Sequence, residues 1–275
     1  MAVQKDSSGQ RSVQVDTVVK GTPEQVWNAI ATGPGISAWF VPTQLEGRVG
    51  GALTLDFGGG MVSSAKIVAW NAPRSFTAED ESWLQGGPKV ATEWSVQPES
   101  GGTCRVRVVH RMQASSDEWD AHLEGTETGW PSYFRVLREY LEHHAGAASA
   151  SFVLMAPSGD DGEALWTKFA GALGIPAPRV GAPVRVTAGA DAVIAGSVKA
   201  VDDLPQGKGV MIALAEPAPG IVLASAMDCM GMRMATLQGF FYGPRAAEAA
   251  AQKPAWEAWL HAFCPPPSDA SPPTS

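Results

Sequence analysis

An ordered set of short signposts occurs twice in this chain, and that constrains its fold more than any single motif. Near the start, Glu24-Gln25-Val26-Trp27 opens a helical segment, Arg48-Val49-Gly50-Gly51 opens a strand, Ser64-Ala65-Lys66-Ile67 lies in the next strand, and a late helix carries Pro131 and Tyr133. The order returns as Glu163-Ala164-Leu165-Trp166, Arg179-Val180-Gly181-Ala182, Ser197-Val198-Lys199-Ala200, and Pro254 with Trp256. The separations run from 139 (Trp27 to Trp166) through 131 (Val49 to Val180) and 133 (Lys66 to Lys199) to 123 (Pro131 to Pro254), so the second copy is the shorter. Two copies of one architectural unit are the economical reading. Any fold assigned to the first half must be one that can be built again in fewer residues.

Length and composition accommodate this. A chain of 275 residues with 45% hydrophobic content can bury a core in each of two domains. Cys104, Cys229 and Cys264 are far apart and odd in number, which is neither a disulfide framework nor a metal-ligand spacing, so a reducing, cytoplasmic setting is expected. The polar opening of the chain lacks the apolar core of a secretion signal, and no apolar run is long enough to span a bilayer. A net charge of -8 argues against nucleic-acid binding, which needs Lys and Arg gathered on one face. Membrane and nucleic-acid partners are therefore not expected. Residues 1–11 and the Pro/Ser tail 265–275 are too poor in apolar side chains to repay chain ordering and are expected to be disordered. The small-residue stretch Ala145 to Ser151 reads as a linker. The domains are expected at 12–145 and 152–264.

In the first copy, Ser12 to Lys20 alternates as a strand, and Thr22-Pro23-Glu24-Gln25 is a helix start: a capping Thr, Pro in the first turn, and Gln three residues on. Gly33-Pro34-Gly35 ends that helix before an aromatic arm with Trp39 and Phe40. Strand-like runs follow at 52–57, 61–70, 75–84, 89–97 and 103–112, separated by Gly58-Gly59-Gly60, Asn71-Ala72-Pro73, Gly86-Gly87-Pro88 and Gly101-Gly102, which makes a meander. Ser115 and Glu118 open the last element as a second capping box. Trp130, Tyr133, Phe134, Leu137, Tyr140 and Leu141 then recur at helical spacing, with Pro131 expected to kink that helix or start its final part.

A strand, two helices, a curved antiparallel meander and a long closing helix make the α+β helix-grip arrangement, in which a sheet wraps a helix and often encloses a cavity. The segments TPEQVWNAIATGPGISAWF, GRVGGALTLDFGGG, PRSFTAEDESW and GWPSYFRVLREYLEHH resemble the activator of heat-shock-protein ATPase C-terminal-like family of the START-like (SRPBCC) superfamily, over roughly residues 10 to 145. The resemblance implies tandem helix-grip domains and either a small hydrophobic ligand or a chaperone-like protein partner. The second copy has no Trp-Phe pair after its first helix, which ends at Gly174-Ile175-Pro176, so it is expected to be a clipped copy with a doubtful ligand role.

No nucleophile elbow, zinc-protease helix, phosphate loop or C-x-x-C is present, and the glycines at 58–60 join two antiparallel strands rather than opening a helix. His143-His144 with Glu142 sits at a helix end that favours His without any metal. The sequence therefore assigns no catalytic residue, metal or cofactor. Alternation along Thr103 to Met112 places His110 inward with Val106 and Val108, where it could contact a ligand or move a proton. Strand register decides which of Glu79, Asp80 and Glu81 faces the groove, and a solvated edge is the expected place for that acid. Seven of the ten tryptophans fall in the first copy, Trp27, Trp39, Trp83, Trp94, Trp119 and Trp130 among them, and Trp39, Phe40, Trp130 and Tyr133 are expected to border one concavity there. Met230, Met232 and Met234 share a strand face in the second copy and read as packing rather than metal ligands. The candidate ligand-binding set is Trp39, Phe40, Trp94, His110, Trp130, Tyr133 and Leu137. The expected function is non-catalytic binding of a small hydrophobic molecule. A co-chaperone-like interaction module and a polyketide cyclase- or hydrolase-like enzyme using His110 stand as alternatives.

Overall fold

The computed structural model describes residues 3–6, 9–80, 88–113, 120–204, 206–229 and 232–264. The tail from 265, the capping pair Ser115 and Glu118, and Glu81, Trp83, Trp119 and Met230 lie outside the described residues. The chain divides into two units, residues 1–147 and 148–275.

The first unit runs β1 (Gln4–Lys5), β2 (Gln10–Lys20), α1 (Pro23–Ile30), α2 (Gly33–Ser37), β3 (Thr43–Leu45), β4 (Ala52–Asp56), β5 (Val62–Asn71), β6 (Ser75–Asp80), β7 (Val90–Glu99), β8 (Thr103–Gln113) and α3 (Asp120–His143). Its eight strands form one antiparallel sheet in the order β1-β2-β8-β7-β6-β5-β4-β3. Local chemistry sets the helix start: Thr22 Oγ1 accepts from the Gln25 N–H while Gln25 returns a bond to the Thr22 N–H, with Pro in the first turn. Thr32 caps α2 in the same way, accepting from the Gly35 N–H. The helix α3 continues through Pro131 rather than starting there. Its buried side chains, Trp130, Phe134, Val136, Leu137 and Leu141, face the sheet, and Arg138 on it donates to Thr17 Oγ1 of β2 at 2.9 Å.

Residues 4–5 and 10–11, expected to be disordered, are strand: Gln4 pairs with Ser12 and Lys5 with Arg11. Asp6 makes the turn, its side chain accepting the Gln10 N–H, and Gly9 supplies the positive φ of 82°. Hydrophobicity is a poor guide to a segment whose order comes from turn chemistry.

The second unit runs β9 (Ser149–Ser158), α4 (Gly162–Ala172), β10 (Pro183–Ala188), β11 (Ala192–Leu204), β12 (Gly207–Glu216), β13 (Gly220–Cys229), β14 (Met232–Tyr242), α5 (Ala246–Ala250) and α6 (Lys253–Phe263). Its sheet order, β9-β14-β13-β12-β11-β10, repeats β2-β8-β7-β6-β5-β4 of the first. No described element of the second unit corresponds to β1, β3 or α2, which shortens the copy. Ser149 to Ser151, expected to be linker, instead opens β9, where Ala150 pairs with Phe241 and Ser151 with Phe240. Small side chains give no strand signal there, and the pairing comes from β14.

The duplication extends to single hydrogen bonds. Gly51 N–H closes a turn on Arg48 O and Gly50 N–H reaches Ile67 O, whose own N–H bonds Gly51 O; Ala182, Arg179, Gly181 and Val198 repeat all three contacts. Both partner strands carry a bulge at that point, between Ile67 and Ala69 and between Val198 and Ala200. Ile67 therefore corresponds to Val198, 131 positions on, and the sequence pairing of Lys66 with Lys199 is displaced by two residues. The turn needs a residue at positive φ, supplied by Gly50 at 79° and Gly181 at 83°, and an added Cβ at either meets nothing within 4 Å. Gly50→Ala and Gly181→Ala are each expected to cost about 1 kcal/mol through backbone strain alone. Equal losses in chemical denaturation of the two variants would bear out the shared turn, and a loss at one site only would contradict it.

Candidate functional site

In the first unit, cross-strand pairing lays the inward side chains of β2, β8, β7 and β6 in rows. Three successive rows shape the site. The deepest is Val15, Val108, Trp94 and Phe76; the next is Val13, His110, Thr92 and Ala78; the outermost is Arg11, Met112, Val90 and Asp80. The deep end is aromatic. Trp39 packs on Phe40, Trp94, Trp130 and Phe134 with ring centroids 5.7 to 6.5 Å apart, and Phe40 stacks on Trp130 at 5.1 Å and meets Tyr133 edge-on at 4.6 Å. Six of the seven ligand-binding candidates, Trp39, Phe40, Trp94, His110, Trp130 and Tyr133, are thus brought into one cluster. Trp39 and Leu137, however, have no accessible surface at all, so no void wide enough for a water touches them. Both belong to the packed core beneath the site. Trp39 also spends its only polar atom on Ala29 O at 2.9 Å.

His110 faces inward as the alternation of β8 predicts and is 3% exposed, while Arg105 and Arg111 on the other face pair with Asp16, Glu99 and Glu93. Its two ring nitrogens are both engaged: Nδ1 lies 2.9 Å from Thr92 Oγ1 and Nε2 lies 2.9 Å from Trp130 Nε1. An indole N–H can only donate, so Nε2 must be the bare acceptor and the proton must sit on Nδ1, donated to Thr92. The imidazole is therefore held neutral, and burial pushes its pKa down to about 4.

Asp80, expected on a solvated edge, is 4% exposed on the inner face and accepts a hydrogen bond from Ser63 Oγ of β5. Phe76 and Ala78 share its parity along β6, and that apolar pair is the signal that marks its face. Sequence reasoning misses Arg11 altogether, because it falls in the polar opening of the chain. It is 5% exposed, and its Nη1 donates to Gly9 O at 3.2 Å.

The second unit shows what the same rows look like without these groups. Registers match residue for residue: Val13, His110, Thr92 and Ala78 correspond to Phe152, Gly239, Val222 and Ile212, and Arg11, Met112, Val90 and Asp80 to Ala150, Phe241, Gly220 and Leu214. Ser63 corresponds to Ile194 by the 131-residue offset of that strand. Every polar inner position has become apolar or glycine. The place of the imidazole is taken by rings, since a Cβ on Gly239 would lie 2.7 Å from Phe241 and 3.0 Å from Phe152.

Outside this site, His143 lies 3.8 Å from Glu139 on the exposed end of α3, and among the described residues no cluster of three His, Cys, Asp or Glu could hold a metal. Met234 is buried and Met232 exposed, so those two do not form one packed surface. Among the described residues no helix is long and apolar enough to cross a membrane.

A sheet curved around a closing helix, aromatic at its deep end and polar along its outer inward rows, defines a helix-grip domain. Residues 20–142 match the family described as Activator of Hsp90 ATPase homolog 1-like protein, and the match stops short of the second domain. No curated protein matches the chain at a significant level. Among solved structures, the chain is similar to the di-domain ARO/CYC BexL from the BE-7585A biosynthetic pathway, at 14% identity over 95% of this chain and 100% of that one, with a TM-score of 0.48. It is also similar to DynU16 from the dynemicin biosynthetic locus, at 13% identity over 90% and 96%, TM-score 0.41. The Aha1 dimer from Colwellia psychrerythraea is 17% identical over 48% of this chain and 96% of that one, TM-score 0.39.

Proposed function

We propose that the first domain binds a small, largely apolar molecule on its inner face and does not transform it, while the second serves as packed scaffold. One observation carries this: the second domain builds the same cross-strand rows from Ala150, Leu214, Val222 and Gly239, so the fold has no need of Arg11, Asp80, Thr92 or His110. Buried polar groups are expensive to keep. Keeping Arg11, Asp80 and His110 buried on the inner face of the first domain, where the matching positions of the second are Ala150, Leu214 and Gly239, points to recognition. Aromatic rings beside them, Phe40, Trp130 and Tyr133, offer the flat apolar surface such a ligand needs.

A role for His110 as acid or base is disfavoured, because its one lone pair is occupied by the Trp130 N–H and burial holds the ring neutral. The family's name points to a protein partner, but docking a protein on the outside of the domain would not need an interior polar row. The test is titration of the full chain with N-phenylnaphthylamine, a neutral aromatic dye, followed by dye fluorescence and by the imidazole resonances. Saturable binding that shifts the His110 ring nitrogens and leaves those of the exposed His261 in place is the expected result. Absence of saturable binding, or binding that leaves His110 unmoved, would refute the reading.

A further inference from the structure

The inner face of the first domain is not sealed along β4 and β5. Leu53, Ala65 and Asp80 stand side by side on it across β4, β5 and β6, and Leu55 with Ser63 form the next inward pair. Phe57 continues that parity, its ring meeting Phe40 of the aromatic cluster at 5.8 Å. Leu53 is buried, but Leu55, Phe57, Ser63 and Ala65 each keep part of their surface open to solvent. Water therefore reaches the inner face at this end of the sheet, near Tyr133, which is also partly exposed and lies edge-on to Phe40 at 4.6 Å. The second domain closes the same place. By the 131-residue offset of these strands, Leu55, Phe57 and Ser63 correspond to Val186, Ala188 and Ile194, which are 8%, 1% and 0% exposed.

Ser63 is the polar member of this open group. Among the described residues its hydroxyl has one hydrogen-bond partner, Asp80 Oδ2, to which it donates. A hydroxyl has a single proton, so with that proton committed to the carboxylate the Ser63 oxygen can only accept from anything else. Donation to a carboxylate also polarises the O–H bond and makes the remaining lone pairs better acceptors. We infer, resting on the reading above, that the molecule held by the first domain carries a hydrogen-bond donor, a phenolic hydroxyl or an aryl N–H, on an aromatic body, the donor meeting Ser63 Oγ and the ring lying against Leu55, Phe57 and Tyr133. An ether or ketone oxygen at that end would set lone pair against lone pair. Asp80 is then a positioning residue, holding the Ser63 proton away from the ligand. The second domain replaces the pair together, with Ile194 for Ser63 and Leu214 for Asp80.

The experiment compares 1-naphthol with 1-methoxynaphthalene on the full-length protein, two neutral molecules of one ring system whose oxygen either donates or can only accept. The unaltered protein should bind 1-naphthol about tenfold more tightly than the ether. Ser63→Ala should weaken 1-naphthol about fivefold or more and the ether less than twofold, and Ser63→Thr, which keeps the oxygen, should restore the preference. In methyl NMR spectra of the unaltered protein, 1-naphthol should shift Leu55 and Ala65 and leave Val186 and Ile194 of the second domain in place, which keeps the inference testable if Ser63→Ala does not fold. Equal affinity of the unaltered protein for the two naphthalenes, shifts that spare Leu55 and Ala65, or a Ser63→Ala variant that weakens both equally would overturn the donor assignment while N-phenylnaphthylamine still binds. Failure of N-phenylnaphthylamine and both naphthalenes alike would instead remove the underlying reading.

Discussion

Truncation of Trp39 to alanine is expected to lower the stability of the first domain by about 4 kcal/mol, near the upper end for buried aromatic residues. Trp39 is wholly enclosed and joins the arm after α2 to the rings of β7 and α3. Its removal opens a void whose walls are other large rings, Trp94, Trp130 and Phe134, which cannot collapse into it without leaving their own contacts. It also deprives Ala29 O of the indole N–H. Trp39→Phe keeps most of the ring volume and loses the hydrogen bond, so its cost should be smaller, about 1 to 2 kcal/mol. Amide hydrogen exchange by mass spectrometry checks this, because peptides covering 90–113 should lose protection strongly in the alanine variant and modestly in the phenylalanine one. Equal protection in wild type and Trp39→Ala would show that the ring is not a keystone.

The second large effect is acid lability traceable to His110. Burial holds its folded pKa at about 4, against about 6.5 for an exposed histidine. Between those values the unfolded chain binds a proton that the folded chain refuses, so stability falls as pH drops through that window and is fully present above it. The difference amounts to about 3 kcal/mol lost from His110 alone between pH 6.5 and pH 4. His144, also depressed by burial and by its neighbour His143, adds a loss of the same sign. Comparison with His110→Gln isolates the buried ring, since glutamine does not titrate. Urea unfolding of both proteins at a series of pH values should show a steeper fall for the wild type, by up to one proton, in that window. Protonation of Nε2 would also set two N–H groups against each other, so the Trp130 indole N–H resonance should move over the same range. Parallel pH curves for the two proteins would mean that His110 is not held neutral by its surroundings.

Much of this architecture is legible in the amino-acid order. The alternation of Thr103 to Met112 puts His110 beside Val106 and Val108, and it is there. The Thr22 and Gln25 capping pair, and the Arg-Val-Gly turn with its repeat, act over three or four residues, and such local signals survive in one dimension. The gathering of Phe40, Trp130 and Tyr133 also follows, because an aromatic arm and a helix stripe have one place to bury their rings. The misplaced segments share a cause. Arg11 reads as tail and Ser149 to Ser151 as linker, since neither has an apolar pattern of its own; each becomes strand by pairing with a distant partner, Met112 for Arg11 and Phe240 for Ser151.

By itself the sequence determined that the chain is built twice, that the first copy carries a capped helix bearing Trp27, and that one histidine turns inward, because periodicity and turn chemistry act between near neighbours. The tertiary structure alone decided which inward residues stand in the same row. That choice rests on strand register, a contact between segments tens of residues apart, and a register moved by one residue would send Asp80 and His110 to the opposite face. It also decided the protonation of His110, since the Trp130 donor that fixes it sits on another element. The contrast between a polar row in the first domain and an apolar row in the second appears only when two sheets are read strand against strand, which is why the site was visible as residues and not as a place.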